Sequence, residues 1–218
     1  MDLFEAIAAG DEAAAMAALD AVPAPGRHPT GPTPVLYALY HQQPALARRL
    51  AERTGPADLA EAAALDDVGR VAELLDAGEP VDGRTPDGYT PLQLAAFFGA
   101  DGVAELLLER GADPGATADH PMRIQPLHAA AAGRHTGIAL RLIAAGVDVN
   151  ARQQAGYTPL LAAAGHGDAE LVRALLRAGA DPGLANDAGV RPAELAAEHG
   201  HHTLADELRT ASTGTART

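Results

Sequence analysis

The chain of 218 residues contains no cysteine, no tryptophan and no lysine. Without thiols it has neither disulfides nor thiolate metal sites, which suits a reducing compartment. No apolar run approaches the roughly 18–20 residues that a membrane-spanning helix needs. The first twenty residues are acidic and lack a basic n-region, so they do not read as a secretory signal, and the cytoplasm is the expected location. The formal charge is −13 and every basic residue is arginine. Such a surface repels phosphate backbones and disfavours general binding of nucleic acid or anionic membranes. There is no Gly-x-Ser-x-Gly, P-loop or dinucleotide fingerprint, so no enzyme class is recognisable and no cofactor is expected. Aromatic residues are also scarce, three Phe and four Tyr, which makes their placement informative.

What the chain does have is repetition. Residues 90–114 read TPLQLAAFFGADGVAELLLERGADP, and residues 158–182 read TPLLAAAGHGDAELVRALLRAGADP. Hydrophobic periodicity is helical in segments of about 8–10 residues, too short to be stable alone, so each must bury its apolar stripe on a neighbour. A glycine closes the second segment of each unit, at Gly78, Gly111, Gly146 and Gly179, with spacings of 33, 35 and 33 residues. Glycine there fits a left-handed helix C-cap. An apolar pair precedes each: Leu74–Leu75, Leu107–Leu108, Leu142–Ile143 and Leu175–Leu176. A second column is made of alanine pairs, Ala62–Ala63, Ala95–Ala96, Ala130–Ala131, Ala163–Ala164 and Ala196–Ala197. Small residues let the first helices approach closely, while leucines fill the layer behind, so the stack should curve with the alanine layer inside.

Thr90-Pro91-Leu92, Thr158-Pro159-Leu160, Gln125-Pro126-Leu127-His128 and the tails Gly111-Ala112-Asp113 and Gly179-Ala180-Asp181 together resemble the ankyrin-repeat family. Threonine before proline has a mechanism, since threonine caps the helix and proline takes its first position. The resemblance covers about residues 2–209 and implies an all-α solenoid of about seven helix-turn-helix units. These lie near 2–21, 33–53, 57–78, 90–111, 125–146, 158–179 and 191–209. It also implies short hairpin-like loops along one edge and a protein-binding role. Residues 22–32, rich in Pro and Gly, read as an irregular loop. The hairpin between units two and three is missing, and Thr54-Gly55-Pro56 is expected to turn tightly in its place. Residues 210–218 are expected to be disordered.

In the family, the two positions after the alanine pair face a concave groove, and the residue before Thr-Pro sits at the loop base. Carried onto this chain, those positions include Tyr40, His41, Leu65, Phe97, Phe98 and His166, with Tyr89 and Tyr157 at loop bases. Five of the seven aromatics thus fall where the core does not require them, and aromatics are enriched in binding hot spots. One of Phe97 and Phe98 turning inward is the alternative. The loop 116–124 is two residues longer than its equivalents. It reads either as drift in a surface loop or as a finger carrying Met122 and Arg123 over the groove beside Tyr89 and Phe98.

The leading expectation is a non-catalytic scaffold that binds a partner protein or peptide across the concave face and loops. Arg84, Asp87, Arg123, Gln153 and Gln154 would add specificity. The alternative is a small-molecule-binding protein or cofactor-free enzyme, with Tyr89, Tyr157, His41 and His166 as orienting or acid–base groups. Self-association through the apolar strip is a third reading. A metal site at His199, His201 and His202 requires one helix running through Gly200, and none is expected. His128 reads as structural, although Gln125 replaces its usual threonine partner. Glu105, Glu109, Arg173 and Arg177 read as solvent faces with i, i+4 support.

Overall fold

Threonine and aspartate caps set where many of the helices start. The computed structural model describes residues 1–22, 26–55 and 58–215, with side chains to 213. Thr33, Thr90 and Thr158 accept hydrogen bonds from the backbone N–H three residues on, and proline follows each directly. Asp11, Asp67 and Asp168 do the same for second helices. The resulting helices are α1 (Leu3–Ala9), α2 (Glu12–Ala21), α3 (Pro34–Tyr40), α4 (Pro44–Thr54), α5 (Leu59–Ala64), α6 (Val68–Asp76) and α7 (Pro91–Phe98). They continue with α8 (Asp101–Glu109), α9 (Pro126–Gly133), α10 (Thr136–Ala144), α11 (Pro159–His166), α12 (Ala169–Arg177), α13 (Pro192–Glu198) and α14 (His202–Thr215). No strand occurs among the described residues.

Odd-numbered helices pack on one another in one layer and even-numbered helices form the layer behind. The alanine column explains the close approach: Ala62, Ala63, Ala95, Ala96, Ala130, Ala163, Ala164 and Ala196 are all fully shielded from solvent. In the second layer Leu74, Leu107, Leu142 and Leu175 are core, while their partners Leu75, Leu108, Ile143 and Leu176 are only partly buried. The closing glycines all adopt positive φ, 94°, 85°, 81° and 93°. On the outer face several arginines bridge neighbouring units, while Arg70 and Arg209 pair with Glu73 and Asp206 three residues away on their own helices. Arg141 pairs with Glu105 at 3.1 Å and Arg173 with Glu207 at 2.8 Å, so Glu105 and Arg173 pair across units rather than at i, i+4.

Hairpins run along one edge, each closed by a backbone bond at its base: Thr85 N to Tyr89 O (2.9 Å), Ala118 N to Ile124 O (2.8 Å), Gln153 N to Tyr157 O (2.9 Å) and Asn186 N to Val190 O (3.0 Å). They also bond to one another. Asp119 N donates to Gly88 O, Gln154 N to Met122 O and Asp187 N to Ala155 O, each at 3.0 Å.

The loop expected to be irregular ends in the same device, His28 N to Pro32 O at 2.8 Å. That hairpin fills the place left by the one missing between units two and three. Gly31 lies so near the 85–89 hairpin that a Cβ on it would stand 3.2 Å from Asp87 N. Arg27 pairs with Asp58, and Thr33 Oγ1 donates to the buried Glu61 carboxylate at 2.5 Å. Gly55 ends α4, and the rest of the expected turn, at 56–57, lies outside the described residues. At the other terminus the sequence predicts disorder from 210, but α14 continues to Thr215. Thr210 Oγ1 donates to Asp206 O one turn earlier at 2.9 Å, a bond that lets threonine stay in the helix. Residues 216–218 lie outside the described residues.

Candidate functional site

Proline and threonine fix the start of α7, and helical periodicity then puts Leu94 and Phe97, three residues apart, on the groove side. Leu94 is buried, whereas Phe97 is 43% exposed. Tyr40 comes from α3 and Tyr89 from the base of the 85–89 hairpin. Together with Met122 and Ile124 of the next hairpin they enclose an apolar pocket of about 200 Å³. Its one amide, Gln93, is fully engaged: Nε2 donates to Ala116 O and Ile124 O, both at 2.8 Å, and Oε1 accepts from Thr90 N at 2.8 Å. The pocket therefore offers apolar and aromatic surface rather than a reactive group.

The longer loop places one of its two expected residues here. His120 stacks on Tyr89, with centroids 5.5 Å apart and planes at 27°, and its Nδ1 accepts from Met122 N at 3.2 Å. This carries Met122, 38% exposed, over the pocket beside Phe97. Arg123 adopts φ 52° and lines instead a separate hollow with Thr117, Asp119 and His120.

Tyr40 and Phe97 also border a wider cleft of about 540 Å³ at the helix-turn edge, with Leu65, Phe98, Arg48 and His135. Phe98 is half-buried. It packs against Tyr40 at 5.8 Å and Phe97 at 5.1 Å and belongs with the core of units one and two. Thus one phenylalanine faces out and the other turns partly in.

The remaining expected residues stand apart. Tyr157 is half-buried one hairpin further along. His41 donates from Nδ1 to Tyr37 O at 2.9 Å and lies against the Tyr37 ring at 4.2 Å. His166 donates from Nδ1 to Ala131 O at 3.2 Å, as His199 does to Gly165 O at 2.7 Å and His135, through Nε2, to Phe97 O at 3.0 Å. These imidazoles tie the end of one first helix to the next unit. Gly200, at φ 84°, separates His199 from His202 onto different helices, and no group of three or more metal-ligating side chains is gathered among the described residues.

His128 bridges its own helix start and the next hairpin, accepting from Gln125 N at 3.4 Å and donating from Nε2 to Ala151 O at 2.9 Å. Burial lowers its pKa, with hydrogen bonds to Ala151 and Tyr157 opposing. Sequence reasoning missed a second aromatic group on the groove side, where Phe4, His28 and Tyr37 pack at 4.7–5.3 Å. Counting five residues back from Thr33, as Thr85 stands to Thr90, would have placed His28 in a hairpin.

Burial and the nearby carboxylate of Asp87 push the Tyr40 hydroxyl far above the ordinary phenol range, and both act on Tyr89 in the same direction. Tyr40 OH donates to Asp87 Oδ2 at 3.0 Å. Asp87 Oδ1 is shielded and accepts no hydrogen bond among the described residues.

Stacked helix pairs, capped by Thr-Pro and joined through a row of hairpins, define a helical-repeat protein. The family model for ankyrin repeats in three copies matches residues 125–215, and that for a single ankyrin repeat matches residues 87–119. A bovine (Bos taurus) relative, cyclin-dependent kinase 4 inhibitor B, is 38% identical over 105 residues, 48% of this chain and 79% of that protein. The chain belongs to the ankyrin-repeat family. No described helix is long and apolar enough to cross a membrane.

Proposed function

We propose that the protein is a non-catalytic interaction scaffold whose concave face, centred on Tyr40, Tyr89, Phe97 and Met122, binds a protein or peptide partner. The observation that carries this reading is the convergence of two exposed large apolar side chains, Phe97 and Met122, on one apolar pocket. Exposed apolar clusters of this kind mark interaction sites. The bovine relative's name describes an inhibitor of a cyclin-dependent kinase, which supports a protein partner as the class. At about 200 Å³ the pocket is smaller than the roughly 300–1,000 Å³ of small-molecule sites and suits a single side chain. Its walls are held before binding by the bonded hairpin row, so little ordering entropy opposes association.

The test is affinity capture with identification of the bound protein, repeated with Phe97→Ala/Met122→Ala. Both side chains are exposed, so the double variant should keep the wild-type melting temperature and lose the partner. Phe98 is unsuitable for this test because it packs in the core. A partner retained in full by the folded double variant would refute the reading.

A further inference from the structure

Asp87 is a carboxylate that the fold leaves half used. One oxygen holds the Tyr40 hydroxyl, and the other is shielded from water without a hydrogen-bond partner among the described residues. That oxygen has no surface that a ligand atom can touch, but the carboxylate stands directly behind Tyr40, and its charge favours a cation brought beside the pocket. Both tyrosines it acts on line the apolar pocket. The cations of the same two hairpins are committed elsewhere. Arg84 Nη1 donates to Gly88 O at 3.1 Å, and Arg123 lines a separate hollow with Asp119 rather than this pocket. The whole chain carries −13, a field that concentrates cationic segments.

Resting on the function proposed above, we infer that the pocket anchors a basic partner segment, taking an aromatic or aliphatic side chain whose neighbouring cation is drawn to the Asp87 charge behind Tyr40. The apolar group enters between Tyr89, Phe97 and Met122. The cation lies over the Tyr40 side, where an aromatic face adds to the attraction of the carboxylate. Gln93 cannot compete for the ligand, since its amide is already satisfied.

Methionine supplies the readout. The chain has three methionines, Met1, Met16 and Met122, so methyl-¹³C labelling gives one resonance at the pocket and two remote controls. The full chain is titrated separately with tryptamine, indole and indole-3-acetate, which share one ring and differ in charge. Tryptamine is expected to shift Met122 saturably and to bind roughly tenfold more tightly than indole-3-acetate, which is about 1.4 kcal/mol, with Met1 and Met16 unmoved. Asp87→Asn keeps an acceptor for Tyr40 and should bring tryptamine down to the level of indole. Phe97→Ala should weaken all three. Equal affinity for tryptamine and indole-3-acetate in the wild type would overturn the charge preference, and no Met122 shift with any probe would overturn the anchor. If the pocket ignores all three probes while capture of the partner still depends on Phe97 and Met122, the scaffold function stands and this inference falls.

Discussion

Two glycines with nearly the same backbone conformation separate the cost of conformation from the cost of crowding. Gly88 has φ 89° and Gly111 has φ 85°. A Cβ on Gly88 would stand 2.1 Å from Asp119 O, whereas one on Gly111 meets nothing within 4 Å. Alanine in the left-handed region costs about 1–2 kcal/mol, reduced in both by the lower entropy of the unfolded chain. At Gly88 the hairpins must also separate by more than an ångström, which removes the Asp119 N to Gly88 O bond, worth about 1 kcal/mol, and loosens the packing around it. The expected losses are about 3 kcal/mol for Gly88→Ala and about 1 kcal/mol for Gly111→Ala. Urea unfolding followed by circular dichroism measures both. Faster exchange of the Asp119 amide in Gly88→Ala would locate the damage, because repeat arrays need not unfold in one step. Equal losses, or an Asp119 amide protected as in wild type, would refute the claim that the row is held by hairpin-to-hairpin contact.

His128→Gln should preserve the fold, since Gln93 occupies the equivalent position in unit four and makes the equivalent bonds to the next hairpin. The native pKa of His128 lies below its ordinary 6.5, so the unfolded chain takes the proton first. Its contribution is complete above that value and is lost as pH falls through it toward the native pKa. Melting curves from pH 7.5 to 5 should therefore decline less in His128→Gln, and parallel curves would remove His128 as the cause. Tyr40→Phe leaves the half-buried Asp87 carboxylate without its hydroxyl donor and should cost about 1–2 kcal/mol. A double-mutant cycle with Asp87→Ala showing no coupling would discount that bond. Sedimentation velocity over a hundredfold concentration range is expected to give a constant mass. Phe97 and Met122 alone offer far less than the roughly 800 Å² per partner of a stable interface, and a rising mass would reassign the strip to self-association.

The stack was legible because its signals are local and recur. Thr-Pro fixes helix starts, the closing glycines fix helix ends, and the alanine pairs mark the layer in contact. Each can be read without knowing what lies across the groove. The site was legible only as a column of positions. Register placed Phe97 and Phe98 together on the concave side, but which one turns inward depends on a neighbour 58 residues away in sequence, Tyr40, and on what lies between them. Likewise Met122 and Arg123 are adjacent in sequence yet line different hollows, at a turn where Arg123 has positive φ. Nothing in the residue types announces that turn.

The missing hairpin gives these observations a common cause. A repeat stack ordinarily couples each unit to its nearest neighbours. Here unit three contributes the small Ala64 to the groove and has no hairpin before it, so units two and four meet directly. Tyr40 reaches across Ala64 to Phe98 at 5.8 Å and to Asp87 at 3.0 Å, and the 28–32 hairpin rests on the 85–89 hairpin through Gly31. A normal hairpin between units two and three would hold Tyr40 and Asp87 apart. Both the Tyr40–Asp87 bond and the Tyr40–Phe98 contact cross the junction where that hairpin is missing. The least regular junction in the stack is therefore the one that assembles the candidate binding site.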